Sequence, residues 1–182
     1  MLMYADVIIA GFGGQGVVLA GTLLAQAAME HGLHVTFMPV YGPEMRGGTA
    51  NCTVVISDDD IGSPIIPRPV GVIALNRPSL EKFQPRLQDG GAMVLNSSLC
   101  DASMLDTARV RCFAVPCNEI AEKVGNARMV NMVALGAYAK ATGAVPLERI
   151  KKALDHVIPG HYSHLIPKNA EALQAGYEAV GG

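Results

Sequence analysis

The segment that most constrains this chain is a short apolar run that ends in closely spaced glycines. Residues 7–10 (VIIA) precede Gly11, Gly13 and Gly16, which have the Gly-x-Gly-x-x-Gly spacing, and a helix-compatible run begins at Val17. This order is typical of a strand, a tight turn and a helix start, where free amides attract an anion. Glycines there allow a tight turn, close approach of a ligand and close packing of the helix against the strand. The segment predicts either a phosphate-type ligand site or a plain turn.

The next predicted strand argues against a nicotinamide cofactor. Dinucleotide sites usually place an acid at the end of the second strand, where it holds the ribose hydroxyls. Here residues 34–40 are followed by Tyr41, Gly42 and Pro43, so neither an acid nor an arginine stands at the strand end. The sequence therefore indicates a Rossmann-like fold without nicotinamide chemistry.

Residues 41–51 are predicted to form a loop, because Gly42-Pro43 and Gly47-Gly48 interrupt regular structure. The β-branched run at residues 52–57 then predicts a strand. A parallel connection needs a crossover of about a dozen residues or more. The joined strands are therefore expected to be antiparallel neighbours or to lie in different parts of the sheet. Arg46 in this loop could hold an anion or a partner carboxylate, or could be a solvated arginine.

The remainder of the chain alternates strand-like and helix-like segments. Strands are predicted at residues 70–75, 92–96 and 111–115, and helices from residue 78 and at residues 17–29, 128–141, 147–157 and 168–177. Pro85 should shorten or kink the helix that begins at Pro78. The pattern predicts an α/β fold, a Rossmann-like three-layer sandwich with a mixed, mostly parallel sheet. Residues 1–182 are expected to form a single domain.

Composition indicates a partner protein. Charged residues are 16% of the chain, against about 25% in a typical soluble domain, and mean hydropathy is +0.29. The apolar runs are too short to cross a bilayer, so the excess of apolar surface is expected to be covered by another chain and not by a membrane. A net charge of −2 without a basic stripe indicates no nucleic-acid partner. The start of the chain lacks a basic signal-peptide region, and a cytoplasmic location is expected.

The four cysteines do not have the spacing of an iron–sulfur site. Cys112 and Cys117 are the nearest pair, and no Cys-x-x-Cys occurs. Cys117 begins a predicted helix, so it is either a reactive thiol or an ordinary buried one. Residues 58–60 (DDD) precede Gly62 and Pro64, which favours a solvated turn over a metal site. No metal site is predicted, because the five histidines also form no ligand pattern.

Three segments together resemble one protein family. They are residues 11–16 (GFGGQG), 41–48 (YGPEMRGG) and 126–136 (NARMVNMVALG). This combination is similar to the gamma subunit of 2-oxoacid:ferredoxin oxidoreductases of the pyruvate, 2-oxoglutarate and 2-ketoisovalerate type. The resemblance spans residues 6–143, and the chain after Val145 carries no matching motif.

The resemblance implies a single gamma-type domain that docks on alpha and beta subunits and, where present, a delta subunit. The assembly converts a 2-oxoacid and coenzyme A to an acyl-CoA and carbon dioxide, and electrons pass to ferredoxin. Thiamine diphosphate, magnesium and the iron–sulfur cluster are expected on other subunits, so the isolated chain should be inactive. No catalytic or metal-binding residue is expected in this chain. The positions expected to face a cofactor or coenzyme A are Gly11, Gly13, Gly14, Gln15, Gly16, Arg46, Gly47 and Gly48.

Two other functions stay open at the level of sequence. A free-standing nucleotide-binding oxidoreductase is disfavoured by the missing acid after the second strand. The related subunit of indolepyruvate oxidoreductase is poorly separated from the main interpretation. The isolated chain could also form a homodimer through the surface that its partners would cover.

Overall fold

A computed structural model describes residues 3–40 and 49–181 of the chain. The strands are β1 (Tyr4–Phe12), β2 (His34–Val40), β3 (Thr49–Ser57), β4 (Gly71–Ala74), β5 (Ala92–Asn96) and β6 (Arg111–Val115). The helices are α1 (Val17–Glu30), α2 (Arg77–Phe83), α3 (Cys117–Val124), α4 (Val130–Thr142), α5 (Leu147–Val157) and α6 (Ile166–Glu178). Short 3₁₀ turns lie at Gln84–Arg86, Ala102–Met104, Ala127–Met129 and Gly160–Leu165.

The six strands form one sheet in the order β2-β3-β1-β4-β5-β6. Strands β1, β4, β5 and β6 are parallel neighbours, whereas β3 pairs antiparallel with both β1 and β2. The predicted mixed, mostly parallel sheet is confirmed. Of the two arrangements left open for the strands around residues 41–51, the antiparallel neighbours are correct.

Both faces of the sheet are covered, which confirms the predicted three layers. Because successive strand residues point to opposite faces, Val7 and Ile9 of β1 join one hydrophobic cluster, and Ile8 and Ala10 join another. The larger cluster includes residues of α1, α3, α4, α5 and α6, and the smaller one includes residues of α2. The sheet therefore has a thick helical layer on one side and a thinner one on the other.

Helices α4 and α6 of the thick layer cross with their backbones in close contact. A Cβ at Gly136 would collide with the carbonyl group of Leu173, and a Cβ at Gly176 would collide with that of Val133. Only glycine permits this approach. The crossing fixes the C-terminal helix against a helix whose residues Val130 to Ala139 are all buried.

Two helix boundaries have a local cause, and one of them differs from the prediction. The helix predicted from residue 128 is a 3₁₀ turn followed by α4, because the Asn126 side chain accepts a hydrogen bond from Arg128 N at 3.0 Å and begins the turn. Helix α2 ends at Phe83, and Pro85 lies in the 3₁₀ turn that follows. The predicted shortening at Pro85 is confirmed.

Candidate ligand site at the glycine turn

The glycine-rich turn connects β1 directly to α1. Gln15 N donates to Phe12 O at 3.1 Å, which closes the turn. Gly14 and Gly16 have φ values of 94° and 72°, in the left-handed region that favours glycine. Gly16 directly precedes α1, and no described side chain caps that helix start. The first amides of α1 therefore have the orientation and the lack of a capping partner that suit an anion.

The individual glycines have different roles from those the pattern suggests. Gly11 lies inside β1, where a Cβ would come 2.7 Å from Gln15 Oε1 and 3.1 Å from Leu75 Cβ. It is thus required for packing, and not for the turn itself. Gly13 is exposed. A Cβ at Gly14 would meet nothing within 4 Å, so the space beside it is open.

The side chain of Gln15 holds the turn against the neighbouring strand. Its Oε1 accepts from Phe12 N at 2.6 Å and from Asn76 Nδ2 at 3.4 Å, and its Nε2 donates to Leu75 O at 3.4 Å. Leu75 O also accepts from Asn96 Nδ2 at 3.2 Å. A polar network thus joins the carboxyl ends of β1, β4 and β5. Through these contacts Gln15 positions the turn.

Asn131 connects the turn to the central helix. Its Nδ2 donates to Gly16 O at 3.0 Å across 115 residues of sequence. A Cβ at Gly16 would collide with this amide group. Gly16 therefore allows α1 to start against α4, whereas the sequence pattern predicted packing of helix against strand.

A pocket of about 410 Å³ opens beside the turn. Its lining includes Gly14, Gly16, Arg128, Asn131, Tyr162 and Asn169. Gly16 directly precedes α1, Asn131 is the second residue of α4 and Asn169 is the fourth residue of α6. Helix starts carry partial positive charge, Arg128 adds a full one, and no acidic residue is among the described lining. The electrostatic character of the pocket therefore suits a phosphate.

The predicted site residues divide into two groups. Gly11, Gly13, Gly14, Gln15 and Gly16 lie at or beside the turn that borders the pocket. Arg46, Gly47 and Gly48 lie outside the described residues. The end of the predicted loop needs correction, because residues 49–51 belong to β3, where Ala50 and Asn51 pair with Gly11 and Ala10.

Sequence reasoning did not select Arg128, Asn131, Tyr162 or Asn169 as site residues. Asn131 had a usable signal, because it is a polar residue in an otherwise apolar helical run. Tyr162 and Asn169 come from the motif-free end of the chain, and local sequence carries no sign that they meet the glycine turn.

The strand order also bears on nucleotide binding. In a dinucleotide fold the second strand lies beside the first, so its end reaches the ribose. Here β3 lies between β1 and β2, and Thr49 pairs with Phe12 at the end of β1. The end of β2 is thus about 10 Å from the turn in the plane of the sheet. This arrangement disfavours the nicotinamide mode independently of residue type.

The alternative of a reactive thiol at Cys117 is contradicted. The residue is fully buried, and burial raises the pKa of its thiol to about 12. Cys52 is equally buried, and burial raises its pKa to about 12 as well. A thiol must ionise to react. Cys117 is therefore an ordinary core thiol despite its place at the start of α3.

A second pocket, of about 460 Å³, lies at the opposite end of the parallel strands. Beneath it Asp6 is 1% exposed, accepting from Val70 N at 2.7 Å and from the Tyr4 hydroxyl at 2.8 Å. Burial raises the pKa of the Asp6 carboxyl. Burial and Asp6 together raise the pKa of Tyr4 to about 12. The lining of this pocket includes both Asp89 and Arg111, so it carries side chains of both charges.

Comparison with known proteins identifies the family. Residues 6–179 match the family model for pyruvate ferredoxin/flavodoxin oxidoreductase, so the chain belongs to this family. The predicted resemblance to gamma subunits is confirmed by relatives and structures alike. None of the described helices is long and apolar enough to cross a membrane.

Two curated relatives come from Methanothermobacter thermautotrophicus. The ketoisovalerate oxidoreductase subunit VorA is 43% identical over 172 residues, which cover 93% of this chain but 35% of that protein. The chain thus spans about a third of the length of this relative. The 2-oxoglutarate synthase subunit KorC is 38% identical, with 96% of this chain and 94% of that protein covered. A solved gamma subunit of the keto/oxoacid ferredoxin oxidoreductase from Geobacter sulfurreducens is 29% identical, with a TM-score of 0.82 over 96% of this chain and 95% of that one.

Proposed function

We propose that this chain works as the gamma subunit of a 2-oxoacid:ferredoxin oxidoreductase, in which it assists the coenzyme A-dependent oxidative decarboxylation of 2-oxoglutarate or pyruvate to an acyl-CoA. Thiamine diphosphate, magnesium and the iron–sulfur cluster belong to other subunits in this proposal. The alpha and beta subunits, with delta where present, are its partners, and ferredoxin is reached through the complex. Residues 1–182 act as one gamma-type domain in the cytoplasm.

The pocket beside the glycine turn is the observation that carries this proposal. It combines uncapped amides at the start of α1, the Arg128 side chain and a lining without described acids. Coenzyme A is a phosphate-bearing substrate, and helix starts bind phosphates. We assign the phosphate contact to Gly13, Gly14 and Gly16, and a positioning role to Gly11 and Gln15.

Arg46, Gly47 and Gly48 are proposed to form a docking segment that faces the active site or a partner subunit. Arginine can hold a carboxylate or phosphate by two parallel hydrogen bonds. Removing one partner of a buried charged pair typically costs about 2–5 kcal/mol, against less than about 1 for an exposed arginine. Arg46→Ala should leave the melting temperature of the lone subunit unchanged. In the complex it should weaken assembly or raise the concentration of coenzyme A that turnover requires. Unchanged assembly and turnover would mean that Arg46 is a solvated residue.

Co-purification tests the function as a whole. A tagged full-length chain, recovered from its native host, should bring down subunits that carry thiamine diphosphate and iron. The recovered complex should oxidise a 2-oxoacid only when coenzyme A and an electron acceptor are both present. The tagged chain purified alone should be inactive, as a monomer or as a homodimer. Recovery of the chain without these subunits, or activity of the lone chain, would contradict the proposal.

A further inference from the structure

Two buried asparagines line the pocket with one polar atom of each unoccupied. Asn131 is 4% exposed and Asn169 is 6% exposed. Asn131 Nδ2 donates to Gly16 O at 3.0 Å, and Asn169 Nδ2 donates to Leu165 O at 2.8 Å. No described residue donates a hydrogen bond to Oδ1 of either side chain.

The orientation of both amides follows from these contacts. A backbone carbonyl only accepts hydrogen bonds, so each Nδ2 must face its carbonyl and each Oδ1 must be the remaining atom. Each Oδ1 is thus an acceptor that no described residue uses, on a side chain that lines the pocket. Two such acceptors at one pocket favour a ligand that donates to both of them.

The pocket therefore has two chemically different parts. Gly14, Gly16 and Arg128 form a cationic part that suits a phosphate. Asn131 and Asn169 offer carbonyl oxygens, which repel a phosphate and accept hydrogen bonds from neutral N–H groups. The ring of Tyr162, half exposed in the lining, adds an apolar wall on which a flat or extended group can lie.

We propose that Asn131 and Asn169 determine specificity by accepting hydrogen bonds from neutral N–H groups of a ligand whose phosphate lies at the start of α1. This inference rests on the proposed function, in which that ligand is coenzyme A. Coenzyme A offers such donors in two places, the adenine amino group and the amides of its pantetheine arm. The asparagines thus distinguish the complete ligand from a bare phosphate or pyrophosphate.

The test is calorimetric binding of four probes to the full-length chain: coenzyme A, pantetheine, adenosine diphosphate and inorganic pyrophosphate. Asn169→Leu removes the acceptor at nearly constant volume. Gln174→Leu is the matched control, because it removes an amide from the same helix whose polar atoms contact Lys151 and Glu178. Asn169→Leu should weaken coenzyme A about tenfold, the effect of one lost hydrogen bond to a ligand. It should leave pyrophosphate within about twofold of the unsubstituted chain.

The two smaller organic probes locate the donor. Weakened pantetheine binding assigns the asparagines to the pantetheine arm, and weakened adenosine diphosphate binding assigns them to adenine. Equal coenzyme A affinity in Asn169→Leu and Gln174→Leu would overturn the proposal, as would failure of the unsubstituted chain to bind coenzyme A at millimolar concentration.

A measurement on the unsubstituted chain covers the case in which Asn169→Leu does not fold. The side-chain amide NMR signals of Asn131 and Asn169 should shift when coenzyme A is added and stay in place with pyrophosphate. Unshifted signals at saturation would contradict the assignment. Neither measurement needs partner subunits, so failure here leaves the co-purification result to decide the proposed function separately.

Discussion

The two ends of the parallel strands carry pockets of similar size and different electrostatic character. At the carboxyl end, three helix starts and Arg128 surround about 410 Å³ without a described acid. At the amino end, about 460 Å³ lies above the buried Asp6 carboxylate, near Gly143, where α4 ends. Asp89 and Arg111 both line this second pocket, and helix ends carry partial negative charge. Of the two pockets, the one at the carboxyl end is therefore cationic without a described acid, and the one at the amino end is mixed.

This contrast teaches that pocket size alone does not locate the ligand site in this fold. The direction of the helices and strands gives each end of the sheet its charge. The carboxyl end also contains uncapped amides and unoccupied amide oxygens, whereas the Asp6 oxygens at the amino end already accept two hydrogen bonds. A phosphate-bearing ligand is therefore expected at the carboxyl end only.

The largest effect is expected from Gly176→Ala, which tests whether α6 must lie close to α4 for the carboxyl-end pocket to exist. The added Cβ would collide with the Val133 carbonyl, and overpacking of this kind costs about 3 kcal/mol. Urea unfolding should show this loss, and coenzyme A binding should fall with it. Gly62→Ala is the control, because a Cβ there meets nothing within 4 Å. Equal stability of the two variants would show that the crossing is not as tight as described.

A smaller and graded effect is expected within the glycine turn itself. Gly14→Ala forces alanine into a left-handed φ of 94° but enters open space, so its cost should be about 1 kcal/mol. Gly16→Ala also forces a left-handed φ, of 72°, and in addition places the new Cβ against the Asn131 side chain. It should therefore lower the free energy of unfolding by about 2–3 kcal/mol. Chemical unfolding of both variants gives the difference. The reverse order of stability would refute the role given to Gly16 as the contact between α1 and α4.

The smallest effect concerns the amino end and is a dependence on pH. Burial raises the folded-state pKa of Asp6 above its ordinary value of 3.8. Its contribution to stability is therefore fully present below pH 3.8 and is lost as the pH rises through the folded-state pKa. Relative to Asp6→Asn, the unsubstituted chain should lose unfolding free energy as the pH rises from 4 to 7. A difference between the two proteins that is constant over this range would show that Asp6 is not destabilised by burial.

The sequence was most informative where structure is local. The strand, turn and helix around residues 11–16 follow from glycine spacing, and the boundaries of β2, β5, β6 and α5 agree with the predicted ranges. Loop length alone could not place β3 between β1 and β2. A short loop is compatible both with antiparallel neighbours and with strands in different parts of the sheet. The pocket wall at Tyr162 and Asn169 depends on α6 folding back over α4, a contact that no local pattern reports.

The roles of single residues also changed once long-range contacts were visible. Gln15 was expected to face a ligand, yet its polar atoms contact Phe12, Leu75 and Asn76. Cys117 was left open as a reactive thiol, yet core packing around α3 buries it completely. For Cys117 the residue type was compatible with reactivity, and its neighbours in space decided otherwise. For Gln15 the contacts favour a positioning role, and its contact with a ligand stays a prediction.

The carboxyl-end pocket of this chain is proposed to bind coenzyme A. The most direct test is the Michaelis constant for coenzyme A in the complete complex, compared between Arg128→Ala and Arg149→Ala. Both arginines are exposed, but only Arg128 is in the described lining of the pocket. Arg128→Ala should raise the constant about tenfold without lowering kcat, since it removes a charged contact to the phosphate, and Arg149→Ala should leave the constant unchanged. The same Michaelis constant in both variants and in the unsubstituted complex would contradict the claim.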